Sequence, residues 1–191
     1  MAGKTEDIFQ KSGALLKGHF LLTSGLHSPA YWEKFRILQF PGYTEQLCRM
    51  IADHFRRENV QVVAGPTTGG IILAFEVARQ LGVRGIFAEK EDEERNFRRG
   101  FSIDPGERVL IVDDILTTGS SVHEVIAAVN KLGGNIIGIG VLVDRSGQAP
   151  DFGFPLFSCH RAATVTYRPE ECPLCAAGVP LVKPGSSQPP A

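Results

Sequence analysis

Val109-Leu110-Ile111-Val112-Asp113-Asp114-Ile115-Leu116-Thr117-Thr118-Gly119-Ser120-Ser121 is the stretch on which the rest of the chain hangs. Val109 to Val112 is an unbroken apolar run, as expected of a parallel strand covered on both faces. Asp113 and Asp114 follow at its carboxyl end, where open α/β sheets hold ligands. Thr117, Thr118, Gly119, Ser120 and Ser121 make a small, hydroxyl-rich loop whose backbone N–H groups can turn inward around a phosphate. Ser121 and Glu124 have the spacing of a capping box, and Val122, Val125, Ile126 and Val129 recur on one helical face. A phosphate in the loop would sit at that helix N-terminus, the end that favours an anion. The plainer reading is a strand-loop-helix turn with its two acids acting as caps.

The order of parts in this stretch resembles the phosphoribosyl-diphosphate signature of type I phosphoribosyltransferases. The stretch itself contains no Gly-Lys and no Gly-x-Gly, which sets it apart from nucleotide-binding P-loops and dinucleotide fingerprints. The resemblance implies that the loop from Ile115 and Leu116 through Ser121 holds the 5′-phosphate of 5-phosphoribosyl 1-diphosphate. It also implies that Asp113 and Asp114 face the ribose hydroxyls.

Bulk properties set the frame. The 191 residues suit one domain with at most a small appendage. Hydrophobic residues make up 43 % and charged residues 21 %, ordinary for a globular domain. A net charge of −1 gives no support for a nucleic-acid surface. Neither a membrane-spanning run nor a signal-peptide core is read, so a cytoplasmic protein is expected. Four cysteines are too few for a disulfide framework.

Upstream, residues 5–17 read as an amphipathic helix, and Gly18 to Lys34 as strand, turn and strand. Within the latter, Phe20, Leu22, Ser24-Gly25 and Ser28-Pro29, leading into Tyr31 and Trp32, resemble the N-terminal hood of orotate phosphoribosyltransferases. In that family the hood covers the pyrimidine; a purely structural hairpin is the alternative. A helix is expected over 44–57, then a first main strand, Val60 to Ala64. The turn Thr67-Thr68-Gly69-Gly70 is a second anion cradle and resembles the family's diphosphate-side loop. A helix follows, with Gly82 at its C-terminal stop, and then a strand, Val83 to Ala88.

Residues 89–100 are the most charged part of the chain. They read as a solvated loop or as a mobile lid, with Lys90, Arg95, Arg98 and Arg99 available to close on a diphosphate. Lys90, Arg98 and Arg99 are the lid candidates for catalysis, beside Asp113 and Asp114. Ile136 to Val143 is a buried strand ending in Asp144-Arg145. A strand-end Arg145 is either a surface ion pair or a carboxylate clamp; the family resemblance implies the clamp for orotate, with Thr117 beside it. Pro155 to Val165 supplies one or two edge strands, and the tail from Lys183 is expected to be disordered.

Together these features divide the chain into an N-terminal helix and hood (1–43), a phosphoribosyltransferase core (44–170) and a C-terminal tail (171–191). The fold class is α/β, of the type I phosphoribosyltransferase kind: a mostly parallel sheet flanked by helices, with an N-terminal hood. The implied activity is Mg²⁺-dependent transfer of ribose 5-phosphate from 5-phosphoribosyl 1-diphosphate to orotate, giving orotidine 5′-phosphate and diphosphate for UMP synthesis. A homodimer with shared active sites is implied as well. A purine or xanthine phosphoribosyltransferase, or a non-catalytic phosphoribosyl-diphosphate sensor, would share the central motif, although a sensor should carry a helix-turn-helix or basic face.

Three positions depart from well-studied bacterial members of the family. Thr23 stands for a hood Lys, the diphosphate-side loop has no Lys, and the lid offers arginines instead of a Lys and His pattern. Cys172-Pro173-Leu174-Cys175 has zinc-knuckle spacing, with Cys159-His160 as further ligand candidates. Two reduced thiols are the alternative, and no residue is assigned as a metal ligand.

Overall fold

The computed structural model describes residues 2–22, 24–92, 94–147, 150–162 and 165–184. A six-stranded sheet forms the centre, in the order β5-β4-β3-β6-β7-β8: β3 (Val62–Pro66), β4 (Arg84–Glu91), β5 (Glu94–Phe97), β6 (Arg108–Leu116), β7 (Asn135–Asp144) and β8 (Leu156–Arg161). Only β5 is antiparallel to its neighbour; all other pairings in this sheet are parallel. The hood hairpin, β1 (Leu15–Leu21) and β2 (His27–Trp32), is a separate antiparallel pair. The helices are α1 (Ala2–Lys11), α2 (Phe35–Leu38), α3 (Pro41–Phe55), α4 (Gly69–Leu81), α5 (Ser120–Lys131) and the short α6 (Pro173–Ala176).

Strand pleating sends alternate residues to opposite faces, and both faces are covered. Val63, Leu110, Val112 and Leu142 pack with Leu47, Ile51, Phe55, Leu73 and Val77 of α3 and α4. Val62, Ala64, Val109, Ile111 and Val141 pack with Val122, Val125 and Val129 of α5. This two-sided cover is why the strand sequence reads as a continuous apolar run. Leu110 is fully buried, and its truncation to Ala is expected to cost about 2–5 kcal/mol.

Topology places the cleft. From β3 the chain crosses through α4 to β4, and from β6 it crosses through α5 to β7, in the opposite direction across the sheet. The β3–β6 ladder stops at Ala64 and Ile111, whereas β3–β4 runs on to Pro66 and β6–β7 to Leu116 and Asp144. The sheet therefore parts between β3 and β6 at its carboxyl end, the switch point at which open α/β sheets bind ligands.

Helix α1 ends at Lys11, because Gly13 turns the chain with φ +64, and Leu15 to Lys17 belong to β1. Helix α3 starts ahead of the expected 44–57, at Pro41, which occupies its first turn, where the missing N–H is not needed. The capping box is not formed: Gly119 is the N-cap of α5, in the left-handed conformation and with no side-chain cap. Residues 89–100 contain the end of β4, the turn at Asp92 and strand β5, so the lid candidate is a β-hairpin on the sheet edge. Lys183 and Pro184, expected in a disordered tail, are described and line the cleft. The remainder of that tail, 185–191, and Thr23 lie outside the described residues. Among the described residues no helix is long and apolar enough to cross a membrane.

Candidate active site

The parted sheet opens into a cleft of about 910 Å³. Its floor is Pro66, Thr67 and Thr68 from the end of β3, with Asp113, Asp114, Ile115, Thr117, Thr118 and Ser121 from β6 and the loop after it. Hood residues, among them Tyr31, Trp32 and Lys34, form one wall, and Arg145 and Ser146 lie beyond β7. Thr166, Lys183 and Pro184 reach in from the C-terminal segment.

Both acids are strand residues with most of their surface covered, at 6 % exposure for Asp113 and 3 % for Asp114. They are not caps beyond the core. The Asp113 carboxylate accepts the Asp114 N–H at 2.8 Å, and the Asp114 carboxylate accepts the Ile115 N–H at 2.7 Å. Burial first, and the neighbouring Asp114 charge second, push the Asp113 carboxyl up to about 7. Lys34 Nζ lies 2.9 Å from Asp114 Oδ2, tying the hood to the floor. Gly69 is required next to this pair, because a Cβ there would run into the Asp114 carboxylate.

The loop after the acids fits an anion. Gly119 has φ +82, and a Cβ on it would meet Phe152 Cζ at 2.8 Å. With Gly119 turned this way, the first N–H groups of the twelve-residue α5 open towards the loop. Thr118 and Ser120 hydroxyls hydrogen-bond each other at 2.8 Å. On the other side of the gap, Thr67 and Thr68 are joined by a cis peptide and lead directly into α4, a second helix N-terminus facing the cleft.

Arg145 is set beside the loop by the β6–β7 ladder: its N–H donates to the Leu116 carbonyl at 2.8 Å. Asp144 fixes the turn that follows, accepting from the Ser146 N–H at 3.0 Å and the Ser146 hydroxyl at 2.6 Å. Burial lowers the Arg145 pKa, an effect opposed by Tyr31; burial, and then the Glu33 charge, raise that of Tyr31. The two therefore share one partly dry corner of the cleft.

Sequence candidates divide accordingly. Asp113, Asp114, Ile115, Thr117, Thr118, Ser121, Thr67, Thr68 and Arg145 meet in one cleft. Leu116 is core, while Gly119, Ser120, Gly69 and Gly70 shape the two loops from behind. Lys90, Arg98 and Arg99 stay outside it. They are exposed on the edge hairpin, where Arg98 pairs with Glu91 at 3.1 Å and Arg99 with Glu89 at 2.8 Å.

Two cations lie next to the site in places that sequence spacing does not give. Lys34 has no motif linking it to Asp114, eighty positions away. Arg95 was grouped with the lid, yet it reaches back to the Thr67 hydroxyl at 3.1 Å and to Glu124 at 2.8 Å. Glu124 therefore serves an ion pair in place of a capping box.

A sheet parted at its switch point, with paired acids and two anion-turning loops, defines the class. The phosphoribosyl transferase domain family matches residues 36–160. Within that class, an orotate phosphoribosyltransferase of Pelotomaculum thermopropionicum is 56 % identical over 94 % of both chains. One of Caldanaerobacter subterraneus is 54 % identical over 96 % of both. The solved orotate phosphoribosyltransferase of Aeropyrum pernix superposes with a TM-score of 0.69 at 26 % identity, covering 81 % of this chain and 92 % of its own. An adenine phosphoribosyltransferase from Rhodothermus marinus gives 0.68 at 20 % identity, covering 85 % of this chain and 100 % of its own, and so shares the fold. The chain belongs to the orotate phosphoribosyltransferases of the type I phosphoribosyltransferase family.

Proposed function

We propose that this cleft transfers ribose 5-phosphate from 5-phosphoribosyl 1-diphosphate to orotate, releasing diphosphate and forming orotidine 5′-phosphate in the cytoplasmic route to UMP. The observation that carries this reading is the meeting of Asp113, Asp114, the Thr117–Ser121 loop and Arg145 in one cleft, in a chain whose relatives are orotate phosphoribosyltransferases.

Thr117, Thr118 and Ser121, with the N–H groups at the start of α5, take the 5′-phosphate. Asp113 and Asp114 accept from the ribose hydroxyls. Breaking the anomeric C–O bond puts positive charge on the ribose ring, as in glycoside hydrolysis, and two buried carboxylates beneath the ring stabilise it. The diphosphate leaves towards Thr67, Thr68 and the start of α4, with Arg95 behind Thr67. Arg145 clamps the orotate carboxylate and, with Thr117 beside it, orients the ring nitrogen towards the anomeric carbon.

Mg²⁺ is the proposed cofactor. The test from this structure is the crowding of two oxygen-only ligands: Asp113 is pushed up by burial and by Asp114, and a hard divalent cation near this pair would favour its ionised form. When bound, Mg²⁺ supplies charge neutralisation for the diphosphate. Asp113 and Asp114 are the residues that would hold it, directly or through the ribose hydroxyls.

A homodimer with shared sites completes the proposal. Lys90, Arg98 and Arg99 are exposed and do not line their own cleft, which suits a lid closing over a second copy's site. Phe35 of α2, Ile72 and Phe75 of α4, and Phe40 in the turn between α2 and α3 are exposed, Phe75 at 67 %, where these helices touch one another, an apolar surface for that copy.

The test is purified protein with 5-phosphoribosyl 1-diphosphate and Mg²⁺, offered orotate, uracil, adenine, hypoxanthine and xanthine in turn. Nucleotide formation from orotate is expected. Consumption of a purine base with orotate ignored would replace this reading by purine transfer.

A further inference from the structure

We propose that His19, His27, Cys172 and Cys175 form a tetrahedral zinc site that pins the C-terminal segment onto the hood. His19 comes from β1 and His27 from β2, and the two cysteines flank the start of α6. One ligand atom from each residue converges, all four lying within 4.8 Å of one another. His19 Nε2 is 3.0 Å from His27 Nδ1, 3.4 Å from Cys172 Sγ and 3.7 Å from Cys175 Sγ. Cys175 Sγ is 3.3 Å from His27 Nδ1. With Zn–N of about 2.0–2.1 Å and Zn–S of about 2.3 Å, the edges of a tetrahedron are roughly 3.3 Å for N–N and roughly 3.5 Å for N–S. The separations straddle those edges.

The tautomer fits as well. His19 Nδ1 lies 2.8 Å from the Val179 carbonyl, so Nδ1–H donates outward and the Nε2 lone pair points at the cluster. A backbone carbonyl behind a ligating imidazole is the usual orienting contact in metal sites. Hydrogen bonding alone leaves the cluster crowded, because three potential donors surround that single Nε2 lone pair. A cation at the centre engages all four atoms, and a two-sulfur, two-nitrogen tetrahedral set selects zinc. Binding it displaces two thiol protons to solvent.

The segment also lacks another anchor of comparable strength. Among its described residues, 165–184, only Cys172 is buried, while Val165, Val179, Leu181 and Val182 are exposed. Backbone pairing holds its two ends: Tyr167 exchanges N–H donors with His27, and Val182 bridges His19 and Leu21. The loop between those ends has no apolar core, and metal ligation supplies what burial does not. The same segment brings Thr166 and Lys183 to the cleft wall. All four ligands come from the protein, so the site is structural, with no open position for chemistry. The Cys159-His160 pair does not take part. Cys159 donates to the Leu47 carbonyl at 3.4 Å, and His160 packs against Phe9 and Trp32.

The test uses the full chain, purified without chelator or added metal and desalted. Mass spectrometry should find about one zinc per chain, the stoichiometry of a closed four-ligand site. Alkylation should label Cys172 and Cys175 only after chelation. Cobalt replacement should give the visible bands of a tetrahedral thiolate site. Cys175→Ser and Cys172→Ser should each lose the metal, whereas Cys159→Ser should keep it. Cys175 is exposed, so Cys175→Ser is the variant least able to disturb packing. A glutamate-specific protease should cut after Glu170 and Glu171, which no proline follows, faster once the metal is removed. The proposal is overturned by a native Cys172–Cys175 disulfide, by protein that neither carries zinc nor takes it up, or by zinc retained in the folded Cys172→Ser/Cys175→Ser double variant.

Discussion

The floor and the roof of the cleft are built in opposite ways. The β6 side of the floor is one run of chain, Asp113 to Ser121, at the end of a strand buried on both faces. The roof is assembled from β1, β2 and residues 165–184, which meet through backbone bridges, the hood-to-floor Lys34–Asp114 contact and the His–Cys cluster. A floor of this kind inherits its geometry from local chain order and a rigid sheet. A roof of this kind depends on contacts between residues up to about 160 positions apart, as in His19 with Val179. Chemistry that needs fixed charge belongs on the first, and cover for the bound base on the second.

The largest expected effect breaks the floor. Asp114→Asn should lower turnover by about 10²–10³-fold, the range for removing one preorganised electrostatic contact in an active site, and Asp113→Asn by a similar factor. Initial rates with saturating substrates check this; wild-type turnover in either folded variant would reduce the acids to caps. At the end of β7, Arg145→Ala should weaken orotate binding by roughly 10- to 150-fold, the equivalent of about 1.5–3 kcal/mol for a lost charged hydrogen bond. Affinity for 5-phosphoribosyl 1-diphosphate should stay unchanged, as calorimetry would show.

A smaller effect separates function from stability within the floor. The Asp113 pKa is raised by folding from 3.8 to about 7. Between those values the native state holds more protons than the unfolded chain, so this group's contribution makes stability fall as pH rises through that window. Asp113→Asn should therefore melt no earlier than wild type at pH 8 in the absence of ligand, while losing turnover. Its flatter dependence of melting temperature on pH between 5 and 8 is the measurement. A lower melting temperature at pH 8 would mean that the carboxylate is needed for the fold.

The smallest effect on stability concerns the edge hairpin. Replacing Arg98 and Arg99 by Gln removes only exposed ion pairs, and unfolding should shift by no more than about 0.5 kcal/mol. Turnover should drop, and mixing with an inactive Asp113→Asn/Asp114→Asn protein should restore part of it through subunit exchange. Mixed dimers without recovery would place each lid over its own chain's cleft.

How much was readable follows the same division. The acids and the Thr117–Ser121 loop were legible because strand period, charge and small residues lie in one line of sequence. Arg145 was legible because it ends a strand next to β6. That the acids lie inside the buried strand was not, since β6 outlasts its apolar run by pairing with β7 as far as Leu116. Lys34 was not legible as a site cation, and Arg95 was legible only as a lid cation, because their partners, Asp114, Thr67 and Glu124, are set by the crossing of elements and not by spacing. The Cys172-x-x-Cys175 spacing was visible, but the histidines that meet it come from a hairpin more than 140 residues upstream, while the nearer Cys159 and His160 pack against Leu47, Phe9 and Trp32.

One kinetic measurement separates the acids from the base clamp within this cleft most directly: rates of orotidine 5′-phosphate formation over a grid of orotate and 5-phosphoribosyl 1-diphosphate concentrations, for Asp114→Asn and Arg145→Ala side by side. Asp114→Asn should lose kcat with the KM for orotate held, and Arg145→Ala should raise the KM for orotate with the KM for 5-phosphoribosyl 1-diphosphate held. If both variants shift the same parameter, or Arg145→Ala alters only the phosphoribosyl substrate, the division of labour described for this cleft is contradicted.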